Sequence, residues 1–285
     1  MKIAIIGANG QLGSDLIRVL ENDEVIPLYH HDIDITNHQK TKEVILQIKP
    51  EILINTAAYH RVDECEDFPE KSFKVNSVAV WNLANICQDI NCVFVHFSTD
   101  YVFDGKKKSP YTEEDSPNPL NVYGNSKLTG EYFVKNICQK YFLIRTSGLY
   151  GIAGAKAKKG NFVDLMLKLE KIGKPIKVVN DQILTPTYTF ELAEKISQLI
   201  KKDIYGLYHL TNQGQCNWYE FAKTIFEFIG KKPALSPISS GLYGAKAKRP
   251  KYSVLENKRA CQIDLGEFSP WKDALRAYLK EKNLI

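Results

Sequence analysis

The chain has 285 residues, 44% of them hydrophobic, and a formal net charge of +5. That length and apolar content suffice for one large core or two intimate domains, and they exclude a disordered, fibrous or repeat protein. The positive balance is too modest for a nucleic-acid groove, and its clusters, Lys106 to Lys108 and Lys156-Ala157-Lys158-Lys159, read as solvated loops. The six cysteines, Cys65, Cys87, Cys92, Cys138, Cys216 and Cys261, show no Cys-x-x-Cys pair and no neighbouring His cluster. Reduced, mostly buried thiols are expected rather than zinc or a disulfide framework. The N-terminus leads straight into an apolar strand without the hydrophobic stretch of a signal peptide, and no apolar run reaches membrane-spanning length. A cytoplasmic protein with no membrane partner is the expectation.

In chain order, Lys2-Ile3-Ala4-Ile5-Ile6 is a short apolar strand leading into Gly7-Ala8-Asn9-Gly10-Gln11-Leu12-Gly13, which opens a helix to about Leu20. Glycines let a backbone turn tightly and approach a pyrophosphate, and a helix N-terminus offers free N–H groups and a positive dipole end. Strand two, Glu24 to Leu28, is followed by Tyr29-His30-His31 where an acidic residue would hold an NAD ribose. Asp32 comes late for that role, and Asp34 or Thr36 could cap the next helix. Ile52 to Asn55 reads as strand three, Glu70 to Gln88 as a helix, Val93 to Ser98 as strand four, Lys127 to Cys138 as a helix and Phe142 to Arg145 as strand five. Repeated beta-alpha units of this length predict a Rossmann-type, doubly wound parallel sheet with ligands at the carboxyl ends of its strands. Thr56-Ala57-Ala58 and Ser98-Thr99 end on the same rim as the glycine loop. After Gly151 the pattern loosens into a smaller mixed α/β substrate domain. It holds a helix from Phe162, a strand at Ile176 to Val179, a helix from Phe190 to Ile200, a strand at Leu207 to Leu210 and the Trp218 helix. The division expected is 1–150 for the dinucleotide domain and 151–285 for the substrate domain, with chain exchange between them allowed. In this second part Arg249, a fixed guanidinium in a loop, suits phosphate as well as a surface ion pair.

Tyr-x-x-x-Lys occurs three times, at Tyr123/Lys127, Tyr219/Lys223 and Tyr278/Lys282, and a chain this rich in both residues produces about two by chance. Spacing therefore decides nothing, and placement must. Tyr219 and Tyr278 belong to amphipathic helices where an aromatic is most simply packing. Tyr123 follows the apolar strand that ends in Ser98-Thr99, beside the expected cofactor. On a helix, residues four apart share a face, so the Lys127 ammonium would stabilise the Tyr123 phenolate and bring the phenol's pKa down towards working pH. Thr99 would supply a hydroxyl to the same carbonyl.

Taken together, these stretches resemble the extended short-chain dehydrogenase/reductases, and more narrowly the dTDP-4-dehydrorhamnose reductase family. The segments that carry the resemblance are Gly7 to Gly13, Asn55-Thr56-Ala57-Ala58-Tyr59 with Val62-Asp63, Ser98-Thr99-Asp100-Tyr101-Val102-Phe103-Asp104-Gly105, Pro119 to Lys127, Arg145-Thr146-Ser147, Asn180-Asp181-Gln182 and Trp218-Tyr219. The resemblance implies reduction of the C4 ketone of a nucleotide-linked deoxysugar by NADPH or NADH, with dTDP-4-dehydrorhamnose as the substrate that fits best. It implies Thr99, Tyr123 and Lys127 as catalytic residues. Gly7, Asn9, Gly10, Gln11, Leu12, Gly13, Asp34, Ile35, Ala57 and Ala58, with Tyr123 and Lys127, would hold the cofactor. His60, Arg61, Asn161, Gln182 and Arg249 fall on the substrate side.

Three departures from the family pattern stand out: Gly148 where the family has a Trp that packs on the sugar, His60-Arg61 where it has small residues, and the missing acid after strand two. The first two would leave a pocket with one aromatic wall fewer and more positive charge, with Arg61 paired to Asp63 or Glu64 as the alternative. The third leaves NADH and NADPH both open. Asp15, Glu191 and Glu281 match acidic positions that help form a magnesium-bridged dimer in some members, but exposed helical acids are the simpler reading and no metal is assigned. A monomer or homodimer is expected. Two other functions remain open: an epimerase or dehydratase acting on a nucleotide sugar, and a cofactor-binding regulatory subunit similar to that of methionine adenosyltransferase.

Overall fold

Short apolar runs bounded by turn residues become a buried sheet. In the computed structural model, which describes residues 1–154 and 160–285, β1 (Lys2–Ile6), β2 (Glu24–Leu28), β3 (Ile52–Asn55), β4 (Val93–Thr99) and β5 (Tyr141–Thr146) lie parallel. A sixth parallel strand, Gly206–His209, pairs with β5, and the sheet runs β2, β1, β3, β4, β5, then Gly206–His209. Every residue of β3 is buried, as expected for a parallel strand covered on both faces. The chain leaves β1 to one side for β2 and to the other for β3, and such a reversal is where doubly wound sheets take their ligands, at the carboxyl ends of the strands. The lysine cluster at residues 156 to 159 lies outside the described residues.

Alternation along the strands divides the core. One face collects Ile3, Ile5, Ile54, Val95 and Ile144 under α1 (Gln11–Val19), through Leu12 and Leu16. The other collects Ala4, Ile6, Leu53 and Phe94 under α2 (His38–Ile48), α5 (Ala79–Asp89) and α6 (Val122–Ile137), with α3 (Val62–Asp67) and α4 (Pro69–Phe73) in between. In the second half, α7 (Phe162–Ile172) and the helices Trp218–Phe228 and Trp271–Glu281 share a separate aromatic core with Tyr150 and Tyr188. A segment of this half returns to the first sheet: α8 (Thr189–Leu199) packs Leu192, Ala193 and Ile196 beside Leu12 and Leu16, and the Gly206–His209 strand follows it.

Three local readings are corrected. The helix expected from Glu70 to Gln88 is interrupted by a π-helical turn, Lys74–Val78. The cause is a polar knot on α6: Ser72 and Asn76 donate to Ser126 Oγ at 2.9 and 3.0 Å, and Ser77 donates to the Ser126 carbonyl at 2.7 Å. A wider turn brings all three side chains to one point, an arrangement common at functional sites. Helix α2 is capped by Asn37, whose side chain accepts from the Lys40 N–H, and not by Asp34 or Thr36. Helix α6 starts five residues before Lys127, at Val122, because Asn121 accepts from the Gly124 N–H and caps it.

The first turn needs its last glycine for packing. A Cβ on Gly13 would stand 2.4 Å from the Gly7 carbonyl oxygen, whereas one on Gly241 would meet nothing within 4 Å. Gly13→Val is expected to destabilise the protein by about 1–3 kcal/mol, as overpacking does. Gly241→Ala should stay within about 0.5 kcal/mol of wild type. Urea unfolding of the two variants checks the contrast.

Candidate active site

The glycine loop is built to receive an anion. Gly7 has φ +76, and a Cβ there would lie 2.6 Å from Thr56 Oγ1. That hydroxyl donates to the carbonyls of Ile6 and Gly7 at 2.7 and 3.1 Å, tying the loop to the end of β3. Gly10 caps α1 without a side-chain hydrogen bond, and a Cβ on it would meet only the Gly7 carbonyl, at 3.2 Å. Uncapped N–H groups, a dipole end and an open approach fit the pyrophosphate of a dinucleotide. Leu12 packs into the core, and Gln11 Oε1 accepts from the Gly151 N–H at 3.0 Å. Both therefore face the loop with backbone only; Asn9 stays partly exposed. Past β2, Asp34 is exposed and its carboxylate accepts from the Thr36 N–H at 2.9 Å, which holds its pKa below the usual range. Ile35 is buried beneath it. Asp32 is turned back onto the Tyr29 N–H at 2.9 Å, away from any ribose role.

Thr99, Tyr123 and Lys127 come together on the same rim. Glycine at 124 lets α6 meet the Tyr101 carbonyl, since a Cβ there would stand 2.3 Å from that oxygen. The Tyr123 ring then lies edge-on to Tyr101, with centroids 6.0 Å apart. The Thr99 hydroxyl donates to Asp100 Oδ1 at 3.0 Å and accepts from the Tyr101 N–H at 3.2 Å. Asp100 also receives Ser147 Oγ at 3.0 Å and Ser253 Oγ at 2.5 Å, and burial pushes its pKa up to about 6 against those three hydroxyls. Burial pushes the Tyr123 phenol above its ordinary value, with the Thr99 hydroxyl opposing. Lys127 is 2% exposed, and burial brings its pKa down to about 8, with Glu131 opposing. The expectation of a depressed phenol is thus reversed in the protein alone. Desolvation shifts both groups towards their neutral forms.

The substrate-side residues divide. Arg249 makes a two-pronged ion pair with Asp63, at 3.1 and 2.8 Å, and also bonds the Tyr101 hydroxyl, so its guanidinium braces a wall of the cleft. Arg61 pairs with Glu64 at 2.6 Å, and His60 Nδ1 lies 3.3 Å from the Ala58 carbonyl. Gln182 is buried in the loop before the Ile183–Leu184 strand. Asn161 is the N-cap of α7. Its oxygen accepts from the Asp164 N–H, and its amide donates to the Gly151 carbonyl and to the Tyr278 hydroxyl. Its polar groups are thus engaged in the fold. Gly148 has φ +58, and a Cβ there would stand 2.9 Å from Leu184 Cδ1. Leu184 therefore occupies the space into which a side chain from 148 would project.

The other Tyr/Lys pairs lie elsewhere. Tyr278 is fully buried against Tyr150 and Tyr188, and Lys282 pairs with Asp164; Tyr219 packs on the second core. Each acid of the metal reading has donors of its own. Asp15 receives Thr189 and Arg18, Glu281 receives Tyr188 and Arg18, and Glu191 receives Asn212 and the Ser269 N–H. Among the described residues no group of three or more His, Cys, Asp or Glu side chains is placed to hold a metal ion.

Comparison with known proteins gives the family of the chain. The model of the family described as RmlD substrate binding domain matches residues 1–284. A dTDP-4-dehydrorhamnose reductase from Aggregatibacter actinomycetemcomitans is 37% identical over 96% of this chain and 97% of its own. The chain belongs to the dTDP-4-dehydrorhamnose reductase family. The spore coat polysaccharide biosynthesis protein SpsK of Bacillus subtilis (strain 168) is similar at 38% identity, over 99% of this chain and 98% of its own. A crystal structure of dTDP-4-dehydrorhamnose reductase from Bacillus anthracis str. Ames in complex with NADP has a TM-score of 0.94 to this chain at 39% identity, covering 99% of this chain and 100% of that one.

Family membership does not by itself show what sequence reasoning missed at this site. Asp100 directly follows Thr99, yet its role depends on Ser253, 153 residues away, a pairing that no local pattern announces. His96 and Asn55 are buried behind Lys127, where alternation alone reads them as core. In Gly10→Val the Cβ would press on the Gly7 carbonyl at 3.2 Å, much less severely than one on Gly13, and protein shown to be folded by circular dichroism should have lost cofactor binding read as quenching of cofactor fluorescence. Unchanged quenching would contradict the assignment of the loop.

Proposed function

We propose that the chain reduces the C4 ketone of dTDP-4-dehydrorhamnose to dTDP-rhamnose, with NADPH or NADH as reductant and the cytoplasm as its place of work. The observation that supports this most is the meeting of Thr99, Tyr123 and Lys127 on the rim that carries the glycine loop. Gly7, Gly10 and the first turn of α1 would hold the pyrophosphate, and the Thr56 to Ala58 segment would line the cofactor's path. When bound, the dinucleotide supplies the hydride.

The protein's own part is the proton. A buried phenol whose pKa is raised stays protonated and acts as an acid, which suits reduction: Tyr123 gives its proton to the developing alkoxide at C4. That leaves a phenolate in a poorly hydrated place, and an ammonium on Lys127 offsets it. Thr99 is anchored by its hydrogen bond to Asp100 and lies within hydrogen-bond reach of the Tyr123 hydroxyl, which it helps to hold in place. Asp100 is the acid that a dehydratase would need beside the hydroxyl, but it is 3% exposed and encircled by Thr99, Ser147 and Ser253, which weighs against that reading. A regulatory subunit would have no use for the assembled proton path. The pairing of Arg61 with Glu64 and the filling of the space at Gly148 by Leu184 support an unmodified deoxysugar as substrate. Among the described residues, no helix is long and apolar enough to cross a membrane.

Tyr123→Phe should lower the rate with dTDP-4-dehydrorhamnose by about a hundred- to ten-thousand-fold while cofactor quenching persists, since only the proton donor is lost. Tyr219→Phe and Tyr278→Phe should keep the chemistry, and Arg61→Ala should keep the wild-type rate. Steady-state assays decide: equal losses from all three tyrosines would mean the wrong pair has been assigned, and a strong loss in Arg61→Ala would restore a charged sugar pocket.

A further inference from the structure

Behind Lys127 lies a chain of buried polar groups that the proton path above does not use. Lys127 Nζ is 3.3 Å from His96 Nε2, and His96 Nδ1 is 3.3 Å from Asn55 Nδ2. Asn55 is 1% exposed and His96 1%, so water does not compete for these contacts. The orientation of the Asn55 amide is fixed at its other end, because Asn55 Oδ1 accepts from the Ala57 N–H at 3.1 Å. Its nitrogen, which can only donate, therefore faces His96 Nδ1.

From there the protons can be counted. Accepting at Nδ1, a neutral imidazole carries its one proton on Nε2, and Nε2–H then points at the lysine nitrogen. An ammonium has no lone pair to receive it; an amine has. If Lys127 takes up a proton, it must donate to Nε2, the imidazole proton must move to Nδ1, and there it collides with the Asn55 amide hydrogens. Charging Lys127 thus costs the Asn55–His96 hydrogen bond.

We propose that Asn55 and His96 are positioning residues that lower the proton affinity of Lys127 in the cofactor-free enzyme, so that its ammonium form, on which the proposed reduction rests, is won only at the expense of their hydrogen bond. Burial acts in the same direction, and the other ionisable groups around Lys127 do not. Glu131, one turn along α6, favours the ammonium, but it is itself held by Arg145 of β5 and by Lys135, and Tyr123 is a neutral phenol. His96 cannot carry a charge to compensate: burial holds its pKa well below the ordinary value, and a charged Lys127 lowers it further. Burial, with Glu131 opposing, already brings the Lys127 pKa down to about 8, and the proton count puts the Asn55–His96 hydrogen bond on the same side. The ammonium is then present below about pH 8 and is lost as the pH rises through it.

The test reads Lys127 itself, with no cofactor or substrate present, so failure of the reductase reading would not disturb it. In protein carrying isotope-labelled lysine, the ε-carbon resonance of Lys127, assigned by its disappearance in Lys127→Met, is titrated by NMR. Wild type should titrate near 8 rather than at the ordinary 10.5. Asn55→Asp keeps the shape and the acceptor for Ala57 while offering an acceptor to His96 Nδ1–H. His96→Gln offers a carbonyl to Lys127 without adding charge. Each should raise the midpoint by about one unit or more, and if one variant does not fold the other decides. A wild-type midpoint near 10.5, or a depressed midpoint that stays put in the folded variants, overturns the proposal.

Discussion

Helix α6 carries the reactive groups, and one buried ion pair sets where it lies. Glu131 and Arg145 are 0% and 1% exposed and face each other in two parallel hydrogen bonds, of 2.6 and 2.8 Å, between α6 and β5. Burial alone would raise the Glu131 pKa; Arg145 outweighs it and keeps the carboxylate ionised. Such a pair adds little net stability, yet removing one partner strands a charge in the core, so the register of helix on strand cannot slide. One turn away is Lys127, and two turns away, at the rim, is Tyr123. The Asn121 cap, the Ser126 knot and the close approach at Gly124 then hold the first turns of the same helix.

Desolvation governs the chemistry of the groups so placed. It moves Tyr123 up, Lys127 down to about 8 and Asp100 up to about 6, each towards its neutral form. Reduction needs a proton donor that remains protonated until hydride arrives, and burial keeps the phenol in that state. The Asp100 carboxylate joins the end of β4 to Ser147 after β5 and to Ser253 in the second half. A carboxyl raised from 3.8 to about 6 disfavours the folded state at neutral pH, and that cost shrinks as the pH falls through about 6. Three hydroxyl donors at one carboxylate make the junction between the halves specific, at some expense in stability.

What could be read from the sequence followed from local rules. Five apolar strands and the glycine turn are legible because burial on both faces leaves unbroken runs of Ile, Leu, Val and Phe, and Tyr123 could be separated from Tyr219 and Tyr278 by its place after Ser98-Thr99. The remainder depended on partners far along the chain. The π-helical turn at Lys74–Val78 answers to Ser126, roughly fifty residues later, and helical periodicity across it looks regular. Arg249 looks like a phosphate ligand until Asp63 is found beside it, and Asn161 looks like a substrate group until it is seen capping α7. Helical spacing reports that Lys127 lies near Tyr123, but burial, which only the assembled sheet reveals, raises the phenol's pKa above its ordinary value all the same.

The central claim is that this rim delivers hydride to C4 of the sugar and a proton to its oxygen. A single turnover with NADPH deuterated on the transferable face of the nicotinamide ring and dTDP-4-dehydrorhamnose tests it most directly. Mass and NMR spectra of the product should place one deuterium on C4 of the sugar. A product without the label, or a sugar altered at another carbon while the reduced cofactor is unconsumed, would contradict the account.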